Sequence, residues 1–153
     1  MRIRHATAAD IPAMMRLQDH AATAAHWSTQ QYETALAGEA PSRVVLIIEE
    51  AGAEEEARVR GFIAGNGLGE EWEIENIAVA EFARRRGLGT RLLGEFLDLA
   101  RSRGANMIFL EVRESNLGAR RLYEKWAFVE TGRRKLYYRE PEEDAITYQL
   151  GFA

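Results

Sequence analysis

The chain has 153 residues, 46% apolar and 29% charged, with a formal charge of −4, which suits one domain spanning 1–153 around a single core. No apolar run approaches the roughly 20 residues of a membrane helix, and Met1-Arg2-Ile3-Arg4-His5 carries no signal-peptide core, so a cytoplasmic protein without a membrane partner is expected. Cysteine is absent, which excludes disulfides, cysteine-ligated zinc and a cysteinyl-acyl intermediate, and His5, His20 and His26 have no ligand spacing, so no metal is expected.

Residues 2–6 read as a first strand. Thr7, with Asp10 three positions on, marks a helix start, and Ile11, Met14, Met15 and Leu17 give that helix an apolar side as far as about residue 20. Residues 21–26 form a break, after which Ser28 caps a second helix ending near Gly38. Trp27, between the two helices, reads either as a core anchor or as a substrate-facing wall. Residues 43–49, with Val44-Val45-Leu46-Ile47-Ile48 apolar throughout, predict a strand buried on both faces. An acidic hairpin tip follows over 49–58 and a returning strand over 59–66. Gly65, Gly67 and Gly69 read as a turn before the strand 72–79.

Leu88, Leu92, Leu93, Phe96, Leu97 and Ala100 recur at helical spacing, predicting a helix from about 87 to 103 that Gly104 ends. Residues 107–112 form a strand, and Ser115-Asn116 opens a shorter helix reaching about Trp126. The last strands are expected at 128–131 and 146–150. Residues 132–141 between them, rich in cations and aromatics, read as a long functional connection. The order is β-α-α-β-β-β-α-β-α-β-β, an α/β (α+β) chain with a mixed sheet.

The strand Glu75-Asn76-Ile77-Ala78-Val79 and the following Arg84-Arg85-Arg86-Gly87-Leu88-Gly89-Thr90 carry the first chemical signal. Two glycines at a helix start let backbone come close to a ligand, and unpaired N–H groups with the positive helix end favour an anion. A nucleotide P-loop would need a lysine and a hydroxyl residue after the second glycine, and a dinucleotide fingerprint a third glycine where Leu92 stands. The remaining pattern, Arg/Gln-x-x-Gly-x-Gly/Ala, resembles the acyl-CoA pyrophosphate loop of the GNAT N-acetyltransferase superfamily.

Two further blocks narrow the resemblance. Leu110-Glu111-Val112-Arg113-Glu114-Ser115-Asn116 with Leu122-Tyr123-Glu124 and Phe128, and the segment 133–145 with Tyr137-Tyr138 and Glu143-Asp144-Ala145, are similar to the bacterial ribosomal-protein-alanine N-acetyltransferases called RimI. Ala127, where a glycine usually precedes the phenylalanine, and the bulky Trp126 depart from that pattern. The resemblance implies a GNAT fold and acetyl-CoA as co-substrate. It implies a protein N-terminal peptide of a small-subunit ribosomal protein as partner, with no nucleic acid required. It implies Glu111 as general base and Tyr123 as general acid. It also implies cofactor contacts from Ile77, Ala78, Val79, Arg85, Arg86, Gly87, Leu88, Gly89, Thr90 and Asn116. Trp27, Tyr137 and Tyr138 are the candidate acceptor contacts. Other acceptors remain open on the residues alone, namely other protein N-termini, lysines or small amines. A non-catalytic acyl-CoA binder or an RNA-contacting module using Arg133, Arg134, Lys135 and Arg139 belongs to a different class, disfavoured by the acidic balance.

Overall fold

The computed structural model describes residues 1–20, 26–37, 43–54, 58–80 and 87–152. Seven strands and four helices follow the expected order: β1 Arg2–His5, α1 Ile11–Asp19, α2 Thr29–Leu36, β2 Arg43–Glu49, β3 Val59–Leu68, β4 Glu71–Val79, α3 Leu88–Ser102, β5 Met107–Arg113, α4 Leu117–Lys125, β6 Val129–Tyr138 and β7 Glu143–Gly151. The strands form one mixed sheet ordered β1-β2-β3-β4-β5-β7-β6, with β4 and β5 parallel and every other pair antiparallel. Among the described residues no helix is long and apolar enough to cross a membrane.

Alternation sends the strand side chains into two cores. Val44, Leu46, Ile48, Ile63, Ile108, Leu110 and Val112 pack under Leu92, Leu93 and Phe96 of α3, with Tyr123 of α4. Val45, Ile47, Phe62, Ala64 and Ala78 instead meet Ile11 and Met14 of α1 and Tyr32 of α2. This explains the unbroken apolar run in β2: both of its faces are covered. The second core closes on Gln18, whose side chain exchanges hydrogen bonds with the Trp27 backbone and accepts one from the Tyr32 hydroxyl at 2.6 Å.

A bulge in β4 sets the phase of the site. Ala64 pairs with Asn76 and Gly65 with Ile74, so Glu75 is an extra residue on β4. The slip lets Trp72 and Ile74 before it, and Ile77 and Val79 after it, all pack on the α3 side.

Three expectations change. Thr7 and Asp10 do form a capping box, but on a single 3₁₀ turn, Ala8–Asp10, that precedes α1. Gly65 and Gly67 are not a turn: they lie inside β3, paired with Ile74 and Trp72, and only Gly69 (φ +62°) turns the chain. Their role is close approach, because a Cβ at Gly65 would stand 2.6 Å from the Glu73 carbonyl oxygen and within the Phe96 ring, and one at Gly67 would enter the Trp72 indole. The long connection is also absent. Residues 129–138 are strand β6, an exposed edge of the sheet, and an edge with neither face buried shows no apolar alternation to read. The break at 21–25 and Gly38 lie outside the described residues.

The family departure at Ala127 has a physical cost. Ala127 sits at φ +70°, a left-handed conformation that favours glycine. Trp126 covers Gly94 of α3, where a Cβ would approach its ring to 3.2 Å, a tight contact that the ring would have to ease by a few tenths of an ångström.

Candidate active site

The sheet opens where β4 and β5 part. Their ladder begins at Glu71–Met107 and ends at Ile74–Leu110, yet β4 runs on to Val79 and β5 to Arg113. On its other side β4 stays paired with β3 as far as Val79. Beyond Ile74 the β4 edge that turns toward β5 therefore lies outside that ladder, over Ile77, Ala78 and Val79. Ile77 and Val79 point into the α3 core and Ala78 into the α1/α2 core, so the backbone is what these residues offer a ligand.

The N-terminus of α3 stands beside this opening. Gly87, at φ +75°, is its N-cap and makes no side-chain cap, and the first helical bond runs from the Arg91 N–H to the Gly87 carbonyl at 3.0 Å. The N–H groups of Leu88, Gly89 and Thr90 consequently have no intrahelical acceptor. A Cβ at Gly87 would meet open space, and one at Gly89 would lie 3.8 Å from Val79 and 3.4 Å from Leu122. A glycine-lined helix start next to the end of β4 that runs beyond the β5 ladder fits a linear ligand with a polyphosphate at one end.

On the sheet face away from α3, three carboxylates converge. Glu73 and Glu75 come from β4 and Glu111 from β5. Burial, then the nearby Glu75 and Glu111 charges, push the Glu73 carboxyl above its ordinary range. Burial likewise pushes Glu75 up, against the opposing Arg43, which bonds it at 2.5 Å. Arg43 in turn lies 5.6 Å from the Trp27 ring centroid, tying the α1–α2 junction to β4. Glu111 accepts a hydrogen bond from Arg134 at 2.9 Å through Oε1, while its Oε2 is buried without a partner.

Aromatic residues close the other side. Tyr123 is only 3% exposed, and its ring packs on Phe128 and Tyr148. Burial pushes its hydroxyl up, with a smaller push from Tyr138. Tyr138 is raised to about 12 by burial and then by Glu111, which makes it the neighbour that Glu111 and Tyr123 share. Arg113, almost fully buried, lies 4.4 Å from the Tyr138 centroid and donates to the carbonyls of Pro141 (2.9 Å) and Arg139 (3.2 Å). Glu143 accepts from the Ser115 amide at 2.6 Å, so the β6–β7 turn is fastened to the start of α4. Among the described residues no group of three His, Cys, Asp or Glu side chains is arranged to hold a metal ion.

The model of the acetyltransferase (GNAT) family matches residues 11–128. The chain belongs to this family. The alanine N-acetyltransferase of ribosomal protein bS18 from Salmonella typhimurium is 42% identical over 83 residues, 53% of this chain and 56% of that protein. N-alpha-acetyltransferase RimI of Mycobacterium tuberculosis is 42% identical over 77 residues, 50% of this chain and 47% of that protein. The chain thus spans about half the length of the curated relatives it matches. Similarity of fold extends further. The ribosomal-protein-S18-alanine N-acetyltransferase structure from Escherichia coli superimposes with a TM-score of 0.83 at 28% identity, covering 99% of this chain and 94% of that one. Ard1 from Thermoplasma volcanium gives 0.85 at 29% identity, covering 99% and 97%.

As a GNAT domain, the structure groups the expected residues as follows. Glu111 and Tyr123 both neighbour Tyr138, which packs against Tyr137, and Ile77, Ala78, Val79, Gly87, Leu88, Gly89 and Thr90 border the opening. Among the described residues, Trp27 is linked to the carboxylates through Arg43. Asn116 caps α4, its Oδ1 accepting from the Ala119 amide at 3.1 Å. Arg85 and Arg86 lie outside the described residues. Sequence reasoning gives no role to Glu73, Arg43 or Arg113. A signal for Glu73 was present, since an acidic residue between Trp72 and Ile74 must face away from the α3 core. For Arg43 and Arg113 no signal exists, because their partners are remote in sequence.

Proposed function

We propose that the protein transfers the acetyl group of acetyl-CoA to the N-terminal alanine amine of a small-subunit ribosomal protein, by direct attack within a ternary complex. What carries this reading is the opening between β4 and β5, bordered by the bare α3 N-terminus on one side and by Glu111 on the other. The alanine acceptor rests on the relatives named for it and on the three matching sequence blocks.

In this reading acetyl-CoA supplies the acyl thioester. Its pyrophosphate would lie at the N–H groups of Leu88, Gly89 and Thr90, with Arg85 and Arg86, just before them in sequence, as further candidate contacts, and its pantetheine amides would pair with the backbone of Ile77 to Val79 as an added strand would. Asn116 contributes at the start of α4. Trp27, Tyr137 and Tyr138 form the walls for the acceptor peptide.

The acceptor amine arrives protonated and must lose a proton before it attacks. An N-terminal amine titrates at about 7.7–8.0, so this costs only about one unit near neutrality. Glu111 takes that proton and releases it to solvent; the amine nitrogen bonds to the acetyl carbon, the carbon–sulfur bond breaks as the tetrahedral intermediate collapses, and the nitrogen gives up its second proton to solvent as the amide forms. Tyr123, kept neutral by burial, donates its hydrogen bond and then its proton to the departing sulfur, and regains a proton from solvent. The cationic amine also meets a favourable field, because Glu73 and Glu75 stand on the same face as Glu111.

The test is an incubation with acetyl-CoA and an alanine-starting peptide of the ribosomal protein, read by fragment mass spectrometry. Acetyl on the α-amine is expected. Acetylation confined to lysine or to an unrelated small amine would overturn the acceptor assignment.

A further inference from the structure

We propose that Arg134 is a positioning residue for Glu111, clamping one carboxylate oxygen from the edge strand so that the other is the atom that takes the acceptor's proton. The inference rests on the general-base role given to Glu111 above.

The contact is built across a whole strand. Glu111 of β5 pairs with Thr147 of β7, while Arg134 of β6 pairs with Ala145 of β7. To reach Glu111 the Arg134 side chain must cross β7, and it does so with its Nη1 2.9 Å from Oε1. A second contact holds it there: its guanidinium lies 4.3 Å from the Tyr137 ring centroid. A long side chain on an exposed edge ordinarily gains little from an isolated ion pair. An aromatic face and a carboxylate together restrict it far more. Tyr137 is itself set edge-on against Tyr138, which Arg113 fixes from below.

The result is an asymmetric carboxylate. Oε1 is occupied, and Oε2 is buried with no partner. The charged and titratable groups facing Glu111 are Glu73 from β4, Tyr138 and Arg134 from β6, with neutral Thr147 on β7. Arg134 therefore fixes the plane of the carboxylate and leaves Oε2 as the oxygen without a hydrogen-bond partner.

The experiment compares Arg134→Met, Arg134→Lys and Tyr137→Leu with the parent protein. Turnover is followed against pH with saturating acetyl-CoA and varied peptide, and melting curves confirm folding. In Arg134→Met kcat/KM for the peptide should fall about tenfold at each pH. The plateau kcat should fall about tenfold as the base loses its orientation, with KM for acetyl-CoA unchanged. Arg134→Lys should restore only part of the plateau, because an ammonium lacks the planar fork. Tyr137→Leu should show the same changes in smaller size. An Arg134→Met protein with an unchanged plateau would overturn the proposal, and so would one that turns over faster, which would make Arg134 a plug. Undiminished turnover in Glu111→Gln would remove the base role itself, a failure separate from that of the clamp.

Discussion

Gly65→Ala tests whether the backbone approach at the β4 bulge is as close as the structure places it. The added Cβ would stand 2.6 Å from the Glu73 carbonyl oxygen and overlap the Phe96 ring. Neither neighbour yields easily. Phe96 is fully buried and set edge-to-face against Trp72, with ring centroids 6.2 Å apart. The carbonyl belongs to β4 and moves only if that strand moves. Overpacking a rigid site by one methyl costs about 1–3 kcal/mol, and two unyielding neighbours place this case near about 3 kcal/mol. For a domain of this size that lowers Tm by roughly 6–12 °C, with the denaturant midpoint reduced and its slope unchanged. Gly118→Ala is the control: it lies within α4, its Cβ would meet nothing within 4 Å, and a helical alanine should stabilise by about 0.5–1 kcal/mol. Turnover should fall as well in Gly65→Ala, because any shift of β4 at Glu73 carries the Glu73 and Glu75 carboxylates with it. A Tm within about 1 °C of the parent would refute the packing argument.

Gly87→Val should weaken acetyl-CoA binding by calorimetry before it affects turnover at saturation, because a β-branched residue at φ +75° strains the α3 N-cap by about 1–2 kcal/mol. Glu111→Gln and Tyr123→Phe should each lower kcat by about 10²–10⁴-fold while leaving acetyl-CoA affinity near the parent value; equal loss of cofactor binding in both would assign them structural roles. Asp10→Asn tests the first turn. Burial pushes the Asp10 carboxyl up, but the Arg4 fork, with both contacts at 2.9 Å, and the Thr7 amide outweigh it and hold the group below its ordinary range. A depressed carboxyl contributes stability above its unfolded value of about 3.9 and loses it as pH falls through the folded value. Denaturant titrations should therefore show that contribution fading below about pH 4 in the parent and absent in Asp10→Asn.

The parts of the fold that were legible in the sequence are those with a buried face. The helical period of Leu88 to Ala100 and the apolar run of β2 report burial directly, and both elements stand where they were expected. β6 escaped because it is an outer strand whose residues, from Val129 to Tyr137, are all exposed, so polarity and not period dominates its sequence. Gly65 and Gly67 escaped for a related reason. Their absent side chains answer to Phe96 and Trp72, and that dependence is invisible along the chain. At the candidate site, the family motif singled out Glu111 and Tyr123 and the loop's chemistry singled out the glycine turn, and their roles stand as proposals. The Arg134–Glu111 pair and the Arg43–Glu75–Trp27 tie were not, because each joins residues brought together only by strand order.

Product analysis after incubation with acetyl-CoA and the alanine-starting ribosomal peptide tests the central claim most directly. The account predicts acetyl on the α-amine of alanine with the parent protein and little with Glu111→Gln. Absence of α-acetylation with the parent, alongside efficient acetylation of a lysine or another amine, would contradict it.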